Sequence, residues 1–70
     1  MIIAQSSLTH AYKGEAVLRS VGMPVQIVRL SAEKTLRGCG YGLLVRDHEL
    51  QKALSLLKSR GAFIGEIIKQ

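Results

Sequence analysis

The chain has one cysteine, one proline and no tryptophan in 70 residues, and its aromatic side chains are limited to Tyr12, Tyr41 and Phe63. A single cysteine excludes an internal disulfide framework, and with it the small secreted scaffolds that depend on one. So few aromatics make a base-stacking platform for nucleic acid a poor expectation. No apolar run approaches the roughly 18 residues that a membrane span needs. The opening MIIAQSSLTH has neither a basic start nor a long apolar stretch, so it does not read as a secretory signal. Acidic residues are scarce as well, five against ten basic ones, which gives a formal charge of +5. The basic residues are scattered, with no run of like charge, and read as a solvated basic surface. What is present is apolar: 47% of the chain, which argues against disorder. The length allows one domain, residues 1–70, which buries roughly 60% of the surface its unfolded chain exposes. The expectation is a soluble cytoplasmic domain with a reduced thiol and no bound cofactor.

Met1–Gln5 favours a strand, and Ser6 and Ser7 after it are helix-capping residues. Leu8, Ala11, Leu18 and Val21 recur at helical spacing and predict a helix to about Val21, stopped by Gly22 with Pro24 just beyond. Gly14 inside that helix costs about 1 kcal/mol relative to alanine, a loss that close approach to a sheet can offset. Pro24–Leu30 is a second strand, rich in β-branched residues. Ser31–Gly40 reads as a polar loop, with room for one helical turn at Ala32–Leu36, and Tyr41–Arg46 as the third strand. Asp47 is a candidate N-cap for a second helix, on which Leu50, Ala53, Leu54 and Leu57 form one apolar face before Gly61 ends it. Ala62–Ile68 completes the pattern as a fourth strand.

The order β-α-β-β-α-β predicts a ferredoxin-like α+β fold: a four-stranded antiparallel sheet in the order 4-1-3-2 with two helices on one face. In that topology the first helix start, the Ser31–Gly40 loop and the beginning of strand 3 share one sheet edge. Cys39 is then expected near the Ser6–Thr9 turn, while His48 falls at the opposite edge.

Cys39 is the residue with distinctive chemistry. Gly38 and Gly40 leave its sulfur sterically open. Arg37 and Lys34 supply positive charge, and the helix start at Ser6, Ser7 and Thr9 supplies backbone N–H donors. Basic neighbours and helix N-termini lower a thiol's pKa from about 8.5 and make it nucleophilic. The alternative is a small buried hydrophobe, the commonest fate of a free cysteine.

The segments Ser7-Leu8-Thr9-His10, Gly14-Glu15-Ala16-Val17-Leu18, Val21-Gly22-Met23-Pro24-Val25 and Gly38-Cys39-Gly40 together resemble the selenium/sulfur carrier protein-like family, a small bacterial domain of unknown function. The resemblance spans nearly the whole chain and rests most on Gly-Cys-Gly. It departs at Gly14-Glu15, where Ala-Glu is expected, and in the loop, where Leu36-Arg37 replaces a small polar pair and no proline occurs. It implies a carrier that holds sulfur or selenium on Cys39 as a persulfide or selenyl sulfide, receives it from a donor protein and passes it to an acceptor. A carrier or binding protein is therefore the first expectation, and nothing in the residues supports an enzyme over it.

Three further readings come from the residues. His10 could approach Cys39 as a base, yet nothing obvious orients it, and it reads as an exposed residue of the first helical turn. One cysteine and two separated histidines do not make a metal ligand set. Arg37-Gly38-Cys39-Gly40-Tyr41 imitates half of an RNA-recognition signature, but Cys39 stands where an aromatic belongs, so nucleic acid is not the expected partner. Both parities of the strands carry apolar residues, among them Val28 and Leu30 opposite in phase to Val25 and Ile27. One set must face away from the helices, which points to a homodimer or a partner-covered surface. A non-catalytic dimeric interaction module or small-ligand regulatory module is the alternative to the carrier.

Overall fold

The computed structural model describes residues 1–30 and 40–69. Its elements are β1 (Ile2–Gln5), α1 (Leu8–Arg19), β2 (Gln26–Leu30), β3 (Gly40–Leu44), α2 (Leu50–Ser59) and β4 (Ile67–Ile68). The architecture is α+β. Four antiparallel-paired strands form one sheet in the order β2-β3-β1-β4, the same succession as 4-1-3-2 counted from the other edge.

Register assigns the faces. Ile3 pairs with Leu43 and Ile67, and Leu43 with Ile27, so these four share one face. On that face Ile3 and Leu43 join Ala11, Leu18, Ala53 and Leu57 from the two helices in the main core. Gly14 explains how α1 sits so low: a Cβ there would lie 2.5 Å from Leu43 Cδ1 and 3.5 Å from Leu57 Cδ2. Leu43 is fully buried, so its methyl has nowhere to retreat. Gly14→Ala gains about 1 kcal/mol of helix propensity but is expected to lose about 1–3 kcal/mol to overpacking. A lower urea midpoint is the expected result, where propensity alone predicts a higher one.

The other face carries Ile2, Ala4 and Leu30, with Val28, Leu44 and Ile68 packed beside them. This is the set for which the sequence points to a homodimer or a partner-covered surface. Within a single chain Ile2 is already only 3% exposed and Leu30 only 2%. Val28, Leu44 and Ile68 on the same face remain half-buried.

Several boundaries differ from the sequence expectation. α1 ends at Arg19, two residues early, because Gly22 (φ 76°) turns the chain and Met23 N–H donates back to Leu18 O at 3.2 Å. Strand 4 shrinks from Ala62–Ile68 to Ile67–Ile68, although Gly65 N–H to Ala4 O (3.0 Å) and Ala4 N–H to Glu66 O (2.9 Å) continue its alignment along β1. Asp47 does not cap α2; a single 3-10 turn, Asp47–Glu49, intervenes. Its carboxylate instead accepts from the Met1 amino group at 2.9 Å.

That hydrogen bond, followed by the amino group's charge, holds the Asp47 carboxyl below its ordinary value of 3.8. A lowered folded-state value stabilises the fold at pH above 3.8, and the contribution disappears as pH falls through the folded value. The side chain is 82% exposed, so the effect is small. Asp47→Asn is expected to lower stability slightly at neutral pH, and the difference from wild type is expected to vanish in acid, as read by thermal melts across pH.

Candidate functional site

Gln5, the last residue of β1, sits opposite Tyr41, and Leu30, the last residue of β2, sits opposite Gly40. The ends of β1 and β2 and the start of β3 therefore meet at one sheet edge, as the topology predicts. A Cβ on Gly40 would approach the Gln5 carbonyl oxygen to 3.2 Å.

α1 begins at the same edge. Ser7 is its N-cap, with extended backbone (φ −156°, ψ 165°), and its Oγ accepts from His10 N–H at 3.2 Å. The first intrahelical bond runs from Ala11 N–H to Ser7 O, so the N–H groups of Leu8 and Thr9 precede the helical ladder. Together with the dipole they present roughly half a positive charge. Ser6 and Thr9 are exposed beside them.

His10 departs from the expected exposed residue. It is partly buried and stacks on Phe63, with ring centroids 5.0 Å apart and planes 15° from parallel. Its Nδ1 lies 2.6 Å from Ser6 Oγ and 3.2 Å from Ser7 Oγ. A serine hydroxyl donates to Nδ1 only in the tautomer whose ring proton is on Nε2; in the other, Nδ1–H donates to a serine oxygen. The imidazole is thus fixed by a ring stack and two serines, which answers the question of what orients it.

Beneath this turn lies Gln5, 3% exposed. Its Nε2 donates to Ala4 O (3.1 Å), Phe63 O (3.2 Å) and Ile3 O (3.4 Å), while Oε1 has no partner among the described residues. The amide ties the segment after α2 to the end of β1 and so holds Phe63 in place under His10. Neither role was anticipated for Gln5 or Phe63. Gln5 carried a usable signal, since it is a polar residue at the same strand parity as Ile3. Phe63 carried none, because its partner is set by tertiary packing.

Ser6, Ser7, Thr9 and Gly40 are thus gathered at one edge. Cys39, Arg37, Gly38 and Lys34, and the helical turn expected at 32–36, lie outside the described residues. His48 is exposed near Asp47, at the Met1 end of the sheet, away from this edge. Tyr41 packs against the helix-side core, so its ring is turned away from the open sheet face that RNA-recognition modules use. Among the described residues no cluster of His, Cys, Asp or Glu could hold a metal ion, and no helix is long and apolar enough to cross a membrane. Compared with family models, with curated proteins and with solved structures, the chain matches none.

Proposed function

We propose that the protein is a carrier of sulfane sulfur or selenium, built on a ferredoxin-like frame and loaded at Cys39. The observation that carries this reading is the meeting, at one sheet edge, of the α1 N-terminus with Gly40, the residue bonded to Cys39. Backbone N–H groups of the α1 start and the Thr9 hydroxyl are the donors that favour an anionic sulfur there, with Ser6 and Ser7 holding His10 beside them. Arg37 and Lys34, close to Cys39 in sequence, add positive charge, and the flanking glycines Gly38 and Gly40 bring no side chain to cover the thiol.

The chemistry is a balanced exchange. The Cys39 thiolate attacks the outer sulfur of a donor persulfide, a new S–S bond forms, and the donor leaves as its thiolate. Cys39 then holds the outer sulfur as its own persulfide. An acceptor thiolate attacks that sulfur in turn and restores the Cys39 thiolate. With a donor that bears selenium in place of the outer sulfur, the same steps give a selenyl sulfide. Neither version needs an added oxidant, reductant or cofactor. The reducing cytoplasm, which keeps a lone thiol free, is the compartment that suits it.

The test is loading in vitro with a small-molecule persulfide, followed by a thiol acceptor, with intact mass read at each stage. Gain of one sulfur atom, confined to Cys39 and lost again to the acceptor, supports the carrier. A protein that stays at its bare mass throughout contradicts it.

A further inference from the structure

We propose that the free edge of β2 is a docking strand for an extended acidic segment of a partner protein. β3 occupies one side of β2, and among the described residues none pairs with the other. The opposite edge of the sheet is β4, whose two residues in register are too few to offer the same surface. An edge strand presents a row of unpaired N–H and C=O groups, and folds guard such rows with proline, bulges, charge or shortness. β2 has no proline within Gln26–Leu30, keeps five consecutive pairs in unbroken register with β3, and carries a single charge, Arg29.

Positive charge surrounds this edge. Arg29 is exposed near the end of the strand and shares the helix-side parity of Ile27. Arg19, from the end of α1, reaches the start of β2 and donates to Val25 O at 2.8 Å, with Glu15 3.3 Å away as its counter-charge. Arg46, also exposed, joins Pro24, Val25, Gln26, Leu44 and Val45 around an open hollow of about 380 Å³ at the same end. The other parity, Val28 and Leu44, is apolar and half-buried.

An extended chain alternates its side chains between two faces. The complementary partner strand therefore carries acidic residues on the helix side, toward Arg29 and Arg19, and apolar residues on the other, toward Val28 and the hollow. Main-chain pairing supplies affinity in this mode and alternate side chains supply specificity. A second copy of this chain fits less well, since it would bring the same arginines to both sides of the junction.

The probe is a capped hexapeptide of alternating valine and glutamate, compared with its valine–lysine counterpart. Two N-methylated forms accompany it, one methylated on the valines and one on the glutamates. Alternate N–H groups of a strand face the same edge, so one methylation pattern blocks pairing with β2 and the other leaves it intact. In an NMR titration the glutamate peptide is expected to shift the β2 amides and to bind at least about tenfold more tightly than the lysine peptide, a difference of about 1.4 kcal/mol. One methylated form is expected to lose binding by a similar factor while the other matches the parent. The variant Arg29→Glu is expected to abolish or reverse the preference for glutamate over lysine with an unchanged circular dichroism spectrum. Absence of binding, equal behaviour of the two methylated forms, equal affinity for the two charge types, or shifts that avoid β2 would each overturn the proposal.

Discussion

Gly65→Ala is expected to lower the unfolding free energy by about 3 kcal/mol, at the top of the usual range for overpacking. Gly65 N–H donates to Ala4 O at 3.0 Å, and a Cβ at Gly65 would stand 2.4 Å from that oxygen and 3.0 Å from the Ala4 carbonyl carbon. Both atoms are backbone, and they belong to β1, which is held between β3 and β4. A side chain can rotate away from an intruding methyl, but this carbonyl cannot move without disturbing the ladder on both sides. A domain of 70 residues has a total stability of about 4–10 kcal/mol, so the loss is a large part of the whole. Gly61 is the natural control. Its φ of 68° penalises alanine, but nothing lies within 4 Å of the added methyl, and Gly61→Ala is expected to lose about 1 kcal/mol from backbone strain alone. Equal urea midpoints for the two variants would show that the close approach at Ala4 is not a packing constraint.

The second large effect concerns the thiol. Arg37→Glu replaces a positive charge two residues from Cys39 with a negative one. Such a swap disfavours the thiolate and is expected to slow iodoacetamide labelling at neutral pH by about three- to tenfold, the equivalent of half to one pKa unit. Labelling above pH 10, where the thiol ionises regardless, is expected to be little changed, which separates an electrostatic effect from a blocked site. Cys39→Ser is expected to abolish sulfur loading while leaving the unfolding midpoint near that of wild type. If Arg37→Glu labels as fast as wild type across the pH range, the charge of this loop does not govern the thiol, and the electrostatic part of the carrier account fails.

The element order and sheet succession were legible because the chain punctuates itself. Ser7 caps α1, Gly22 and Gly61 stand just past the helices with positive φ, and β-branched runs mark β1 and β2. Gly14 was legible as a close approach, and Leu43 is what it approaches. The failures share a cause, since each depends on partners distant in sequence. Asp47 sits where a helix cap belongs, yet its carboxylate goes to the Met1 amino group, 46 residues away. Ala62–Glu66 has strand-like composition, but Gly65 and the Gln5 amide bind that segment in an irregular path along β1. His10 looked like a solvated residue because neither Phe63 nor the cap geometry can be read from its neighbours.

The carrier account is tested most directly by the intact mass of the protein isolated from its own cells, alkylated at once to trap whatever Cys39 bears. The account predicts a population heavier by one sulfur or one selenium atom, mapped to the Cys39 peptide, removed by a thiol reductant and absent from Cys39→Ser. A bare, unmodified Cys39 in every preparation, including cells fed excess sulfur or selenium, would contradict it.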